Sequence, residues 1–249
     1  SSMDIGEHPA GLIGNIYAIT NADSVRMYKN DRFVAEFDRS PYETMPHGPI
    51  LIDDFVGNQL VEDGAVPEYA APTVKELLLA ANRYGLQTLP QEVLEQMQQC
   101  EEQFGITETD FMALYGRYIG NWGQKVPRYR FEAVKDGKVV SVITRQPMKQ
   151  VQLRLNPSHT NLTERHTYDV AAVRIEARSD SGNLLPFYQE PVQLTVTGDI
   201  ALIGPSLISL KGGMGGTYVK SLGREGQGTL TLSAPGAPDV IIDFQVSLA

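Results

Sequence analysis

Over residues 11–56, short runs of β-branched and aromatic residues are separated by polar turn residues, which is typical of a β region. Four such runs predict strands: Ile16–Thr20, Val25–Tyr28, Phe33–Phe37 and Pro49–Ile52. Between the second and third runs, Asn30-Asp31 predicts a tight hairpin turn, because both residue types tolerate a positive φ. The chain is therefore predicted to begin with β structure.

From residue 72 the apolar positions take on a helical period. Four of them recur at i, i+3, i+4 and i+7: Val74, Leu77, Leu78 and Ala81. Thr73 and Glu76 have the spacing of a capping box and predict the start of this helix, which Gly85 ends. Further start signals near Thr88 and Thr107 predict two more helices. Together they form a predicted three-helix unit over about 72–122.

Strands return after the helices. Residues 129–134 and 139–143 predict a hairpin around Asp136-Gly137, and alternation up to residue 155 predicts a further strand. Four strands before the helices and three after them give the strand count of one β-sandwich. Residues 1–65 carry a net charge of −7 and residues 124–157 a net charge of +6, so the two segments complement each other. We therefore expect one domain over 1–157, interrupted by the helices.

The remainder of the chain reads as β structure only. Asn156–Asn161 is polar and resembles a linker, and seven short strands are predicted beyond it: 168–178, 184–188, 191–197, 200–210, 217–221, 228–233 and 239–248. This count in about 90 residues favours a second sandwich over 158–249. The predicted fold is mainly β, with two immunoglobulin-like β-sandwiches and an inserted three-helix unit in the first.

Composition narrows the class of protein. The 249 residues are 42% hydrophobic and 20% charged, with one cysteine, which excludes a disordered chain, an internal disulfide and a zinc cluster. The net charge of −9 argues against a nucleic-acid partner. No apolar run approaches the ~20 residues that span a bilayer, and no signal peptide is visible, so a cytoplasmic location is favoured. The opening Ser1-Ser2-Met3-Asp4 is atypical of a native start, so upstream sequence is expected.

The chain offers no recognisable catalytic or metal motif. Its four histidines are scattered. The glycines of 212–216 do not form a phosphate loop, which needs glycine directly before Lys-Ser or Lys-Thr, because Val219 precedes Lys220-Ser221. Adjacent carboxylates such as Asp53-Asp54 point apart on a strand and do not converge on one bond. We therefore assign no catalytic residue, no metal ligand and no cofactor.

An aromatic cluster at the end of the third predicted helix is the best candidate for a binding site. Four residues there are of the types that hold sugars, one by stacking and the others by hydrogen bonding: Arg117, Tyr118, Asn121 and Trp122. The alternative is that Trp122 is buried and joins the helix to the following strand, and this packing role is favoured.

Several strand segments resemble the C-terminal region of bacterial β-galactosidase-like enzymes of glycoside hydrolase family 2. Thr20-Asn21-Ala22-Asp23, followed by a strand that ends in Tyr28-Lys29-Asn30, is similar to the segment after the catalytic barrel. Ala133–Val140 resembles the closing hairpin of the same module. Tyr168–Ile175, Gly182–Pro186 and Pro191-Val192 resemble the last immunoglobulin-like module.

The resemblance implies a parent enzyme that retains configuration and uses two glutamates on a (β/α)8 barrel, with the acid/base in an Asn-Glu dipeptide. None of the nine asparagines here is followed by Glu, so no catalytic residue can be transferred and the chain alone is predicted to be inactive. The expected function is that of an accessory region that supports the catalytic barrel of the same polypeptide or shapes its substrate access. The alternative is a carbohydrate-binding module that contacts glycans through exposed aromatic residues.

Overall fold

The computed structural model describes residues 15–39, 44–123, 125 and 127–249. The opening residues Ser1–Asp4 and the start of the first predicted β region at 11–14 lie outside this described part. The chain divides into two compact units, the first up to Pro147 and the second from Met148 to Ala249. With 45% strand and 19% helix, the fold is mainly β, as the sequence predicts.

The described part of the first unit contains two sheets. A four-stranded antiparallel sheet has the order β3-β2-β5-β6, and a two-stranded sheet pairs β1 with β4. The strands have these bounds: β1 Ile16–Ala18, β2 Ser24–Lys29, β3 Arg32–Asp38, β4 Ile50–Ile52, β5 Tyr129–Lys135 and β6 Lys138–Arg145. Strand β5 lies beside β2 although the helices intervene in the sequence, so strands from both sides of the helices share one sheet.

Two hairpin turns of this sheet adopt the backbone that the sequence predicts. Asn30 and Asp31 have φ of 50° and 67°, and Asp136 and Gly137 have φ of 50° and 72°. Two consecutive positive φ values match the right-handed twist of the paired strands, which is why these residue types are preferred there.

Four helices lie between β4 and β5: α1 Gln59–Glu62, α2 Ala71–Tyr84, α3 Gln91–Phe104 and α4 Glu108–Tyr118. The short α1 escapes sequence prediction. The predicted capping box at Thr73 is wrong, because α2 already begins at Ala71 and Pro72 occupies its first turn, where the missing N–H costs nothing. Gly105 ends α3 at a φ of 70°. The described residues contain no helix that is long and apolar enough to cross a membrane.

One apolar cluster joins the helices to the sheet of the first unit. Its members include residues of the sheet, of β4, of α2 and of α4: Met27, Ile50, Val74, Leu78, Phe111 and Tyr129. All of these side chains are buried. The helices therefore cover much of the sheet face that a second layer of strands covers in a sandwich.

The second unit contains two larger sheets among its described residues. The first has the order β12-β10-β14-β15-β8 and the second β11-β13-β9-β7. The bounds are β7 Val151–Pro157, β8 Asn161–Glu164, β9 Val170–Ser179, β10 Pro191–Gly198, β11 Ile200–Ile203, β12 Leu207–Ser209, β13 Met214–Ser221, β14 Gly226–Ala234 and β15 Ala237–Leu248. Pairs are antiparallel except β15 with β8. Inward residues of both sheets, among them Val173 and Leu232, form one apolar cluster.

Four sequence predictions differ from what the structure shows in this unit. The expected boundary at 157 lies at Pro147, because β7 pairs along its whole length with β9. The supposed linker 156–161 is a strand end followed by a turn into β8. The predicted strand 184–188 forms only an isolated bridge at Leu184. The predicted strand 200–210 is divided into β11 and β12 at Gly204-Pro205, where proline supplies no N–H to a ladder.

Candidate functional site

The candidate site lies at the C-terminal end of α4, and the start of that helix fixes its direction. The Thr107 hydroxyl accepts a hydrogen bond from the Asp110 amide at 3.2 Å, and the Asp110 carboxylate accepts one from the Thr107 amide at 3.0 Å. This reciprocal capping box satisfies amides that the first turn leaves unpaired. Phe111 and Tyr115 are buried on one face of the helix and set its rotation.

The chain turns back on itself directly after α4. Asn121 has a φ of 51°, which asparagine tolerates better than most residues, and its side-chain amide donates a hydrogen bond to the Ile119 carbonyl at 2.8 Å. The Trp122 amide then donates to the Gly116 carbonyl at 2.8 Å. These bonds return Trp122 to the last turn of the helix that precedes it.

Gly116 of α4 and Gly120, just beyond the end of that helix, make room for the indole. A Cβ on Gly116 would lie 2.6 Å from Cε3 of Trp122, and a Cβ on Gly120 would lie 2.7 Å from its Nε1. The Tyr115 ring meets the indole at a centroid distance of 5.7 Å. Trp122 is nevertheless 54% exposed. We call this arrangement of Trp122 over Gly116 and Gly120 the tryptophan platform: one side of the ring rests on the helix and much of the remainder faces solvent.

Arg117 and Tyr118 are held by one carboxylate. Asp63 accepts hydrogen bonds from the Arg117 guanidinium and the Tyr118 hydroxyl, both at 3.0 Å, and a third from Arg32 at 2.8 Å. Burial favours a raised pKa for Asp63, but the hydrogen bonds from Arg32 and Tyr118 outweigh it and lower the pKa. Arg117 remains half-exposed, whereas Tyr118 is buried, and its pKa is raised to about 12 by burial and by Asp63.

A buried lysine supports the same helix end from the sheet. Lys29 of β2 donates from Nζ to the Tyr118 carbonyl at 2.6 Å, although only 6% of the residue is exposed. A helix C-terminus carries partial negative charge, which favours a cationic donor there. Burial nevertheless lowers the pKa of Lys29 to about 8. Lys29 therefore fixes the end of α4 to the sheet.

The structure places the four predicted site residues at one helix end but not on one surface. Arg117, Asn121 and Trp122 reach solvent or its border, while the covered ring of Tyr118 presents no face for stacking. Sequence reasoning missed Lys29 and Asp63, which come from distant segments. Gly116 and Gly120 lie four residues apart shortly before Trp122. This spacing could have predicted a surface without side chains at the helix end, on which the indole can rest.

The described carboxyl groups with a shifted pKa, Asp63 of this site among them, serve local structure. Five described carboxyl groups have a clearly shifted pKa, and each is lowered: Glu36, Asp63, Asp110, Asp169 and Glu176. In Glu36, for example, hydrogen bonds from Ser24 and Arg26 lower the pKa. Among the described residues, no group of three His, Cys, Asp or Glu side chains is placed to hold a metal ion.

Comparison with known proteins relates the chain to glycoside hydrolases. No protein-family model matches it. A β-galactosidase of Rhizobium radiobacter is 34% identical over 128 residues, which are 48% of this chain and 86% of that protein. A β-glycosidase structure from Bacteroides vulgatus matches 97% of this chain with a TM-score of 0.54 at 13% identity. A glycosyl hydrolase family 2 member from Bacteroides cellulosilyticus matches 98% with a TM-score of 0.53 at 11% identity.

The chain spans only about a quarter of the length of these solved structures, since it covers 24% of each. At such low identity, the two structural matches show a shared fold alone. The β-galactosidase of Rhizobium radiobacter is related to this chain in sequence as well. The resemblance inferred from the strand motifs is thereby confirmed. This chain belongs to the β-galactosidase-like proteins of glycoside hydrolase family 2 and corresponds to their C-terminal region.

Proposed function

We propose that this chain is a non-catalytic accessory region of a β-galactosidase-like retaining glycoside hydrolase, and that it shapes substrate access to the catalytic barrel. In this proposal both units are immunoglobulin-like sandwiches, and α2, α3 and α4 are an insertion into the first. The pairing of β2 with β5 supports the insertion, because it joins strands from the two sides of the helices in one sheet.

The state of the carboxylates supports a non-catalytic role. A retaining glycosidase needs one carboxyl group whose raised pKa keeps it protonated as the general acid, with a second at about 5 Å as nucleophile. All described carboxyl groups with a clear shift are shifted the other way, because arginines, hydroxyls and backbone amides stabilise their charged form. These groups are suited to hold loops and strands together.

The observation that carries the access role is the exposed tryptophan platform. An indole fixed on one side by two glycines loses little conformational freedom when a sugar ring stacks on its open side, and Arg117 adds hydrogen-bond donors on the same helix end. The second candidate function, an independent carbohydrate-binding module, uses the same surface. The two differ in whether the chain binds a glycan without the barrel.

The test combines the purified chain with the longer polypeptide that carries it. The chain alone should neither hydrolyse a nitrophenyl β-galactoside nor bind galacto-oligosaccharides by calorimetry. In the longer enzyme, Trp122→Ala should raise KM by about tenfold, equivalent to roughly 1.4 kcal/mol, with kcat unchanged. Gly116→Ala should raise KM in the same direction, because its new Cβ displaces the ring without removing it. Phe187→Ala is the matched control, since Phe187 is also an exposed aromatic residue but belongs to the second unit.

Each outcome separates the alternatives. An unchanged KM in Trp122→Ala would refute the access role, and glycan binding by the isolated chain that Trp122→Ala abolishes would favour the independent binding module. Turnover by the isolated chain that is lost when one of its own carboxylates is replaced would overturn the non-catalytic assignment. Thermal melting of each variant shows whether altered kinetics reflect unfolding.

A further inference from the structure

The outer faces of the two sheets of the second unit differ in charge. Within its described strands, lysine and arginine occur only on the outer face of the four-stranded sheet, where Glu176 is the one acidic residue. We call this surface the basic face and define it by four residues: Arg154, Arg174, Arg178 and Lys220. The strands of the five-stranded sheet contain no basic residue and carry Asp239 and Asp243. Positive charge is therefore gathered on one side of the unit.

One carboxylate orders two arginines of the basic face. Glu176, which is only 6% exposed, accepts a hydrogen bond from Nε of Arg178 at 2.8 Å, and its other oxygen lies 3.0 Å from Nε of Arg174. Arg178 also donates to the Gly182 carbonyl at 2.6 Å. Arg174, with 65% of its side chain exposed, has no other contact of this kind among the described residues. Its two Nη groups are therefore held in place but remain available to a ligand.

The third arginine adds a charge that the fold does not neutralise. Arg154 is exposed and lies opposite Glu176 in the ladder between β7 and β9, but it makes no hydrogen bond or salt bridge with any described residue. The pKa of Glu176 is lowered first by the hydrogen bond from Arg178 and also by the charge of Arg154, so this carboxylate stays ionised. One negative charge thus faces three guanidinium groups. The excess of positive charge is complementary to an anionic ligand.

An aromatic side chain borders these arginines. Gly216 lies opposite Arg174 in the ladder between β13 and β9, and Tyr218 follows on the same face, opposite Ala172. Glycine and alanine rise little above the sheet, and the Tyr218 side chain has no hydrogen bond or ring contact within the described part of the chain. The residue is 53% exposed. Diagonal neighbours on a sheet lie roughly 7–8 Å apart, so a ring stacked on Tyr218 has its substituents within reach of Arg174.

We propose that the basic face binds a polysaccharide whose sugar rings carry carboxylate groups. A sugar ring stacks on Tyr218, its carboxylate accepts hydrogen bonds from both Nη groups of Arg174, and Arg154 attracts a neighbouring carboxylate of the same polysaccharide. An acidic peptide fits less well, because its carboxylates would engage the arginines without using Tyr218. The site belongs to the second unit and does not depend on the access role proposed for the tryptophan platform of the first.

The test measures binding of oligomers to the full chain by calorimetry at low salt. A hexamer of galacturonic acid should bind, and the affinity should fall as salt is added, because exposed charges are screened. The neutral hexamer of galactose should bind at least about tenfold more weakly, since it lacks the carboxylates. Hexaglutamate, which has carboxylates but no sugar ring, should also bind at least about tenfold more weakly.

Variants of the basic face assign the binding to its residues. Arg174→Ala should weaken binding of the galacturonate hexamer by at least about tenfold, because it removes a charge-assisted pair of hydrogen bonds. Tyr218→Ala should weaken it by about fivefold through loss of the stacking ring. Arg224→Ala is the matched control and should bind as the native chain does. The Arg224 side chain is 69% exposed and likewise pairs with one carboxylate, that of Asp199 at 3.1 Å.

Arg154→Ala is the second variant should Arg174→Ala fail to fold, because it removes a charge without breaking a hydrogen bond between described residues. Weaker binding in either arginine variant and in Tyr218→Ala, with Arg224→Ala unaffected, supports the proposal. Absence of binding by the native chain, unchanged binding in the arginine variants or in Tyr218→Ala, or an equal loss in Arg224→Ala would overturn it. Equal affinity for the galactose hexamer or for hexaglutamate would also overturn it, since the ligand would then be a neutral glycan or an acidic peptide.

Discussion

The two units cover their sheets by different means. In the second unit, inward residues of a five-stranded and a four-stranded sheet share one cluster of mostly aliphatic side chains. In the first unit, much of the cover over a four-stranded sheet comes from α2, α3 and α4, and the cluster includes aromatic residues and Cys100. A layer of strands lies along the strands that it covers, whereas a layer of helices also places helix termini beside the sheet. At the end of α4 the first unit has a buried lysine and an exposed tryptophan.

The largest effects are expected when one buried side chain is truncated in each of the two cores, which tests whether the units unfold separately. Phe244→Ala in the second unit should lower its free energy of unfolding by about 3–5 kcal/mol, and Leu78→Ala in the first by about 2–5 kcal/mol, because both side chains are fully buried. Since each belongs to a different cluster, scanning calorimetry should show two transitions, with only one displaced in each variant. Equal displacement of both transitions by either variant would show that the units unfold as one.

Lys29 gives the next largest effect and is confined to the first unit. Burial lowers its pKa from 10.5 to about 8, so the unfolded chain binds more protons than the folded chain between these values. The free energy of unfolding of the first unit should therefore rise with pH from about 8 to 10.5, by about 3 kcal/mol from this group. Below pH 8 the cost of burying the charge is present in full.

Lys29→Met isolates this contribution, because the other titrating groups are the same in both proteins. The difference in unfolding free energy between native chain and variant, measured by urea titration at several pH values, should change across this window in the first unit and stay constant in the second. A difference that does not depend on pH would show that Lys29 has an ordinary pKa and that its bond to the Tyr118 carbonyl carries the interaction alone.

Local signals in the sequence predicted the local structure well. The Asn30-Asp31 and Asp136-Gly137 turns follow from the backbone preferences of single residues, and the helices of 71–118 follow from their apolar period. The sequence did not reveal which unit receives β7, because an alternating strand such as Val151–Pro157 fits beside either sheet equally well. Pairing partners that are far apart in sequence decide such cases.

The candidate site shows the same division between local and distant information. The place of Trp122 just after a predicted helix made it a candidate from the sequence. Its platform, however, depends on two glycines, and the helix end that carries it is held by Lys29 and Asp63. These two residues lie 89 and 55 positions before Tyr118, to which both are hydrogen-bonded. A buried lysine is read from the sequence as a surface residue because the charge is costly to bury. The Tyr118 carbonyl that accepts the hydrogen bond of Lys29 becomes available only at the end of the folded helix.

The smallest predicted effect compares two threonines with similar sequence signals. Thr107→Ala should lower the free energy of unfolding of the first unit by about 1 kcal/mol, because it removes the cap on the Asp110 amide. Thr73→Ala should be neutral or slightly stabilising, since Thr73 lies inside α2 and alanine has the higher helix propensity. Urea unfolding of both variants at one pH measures the difference. Equal losses of unfolding free energy in the two variants would show that the capping box of Thr107 does not stabilise α4. The packing of Phe111 and Tyr115 would then be what orients the helix that carries the platform.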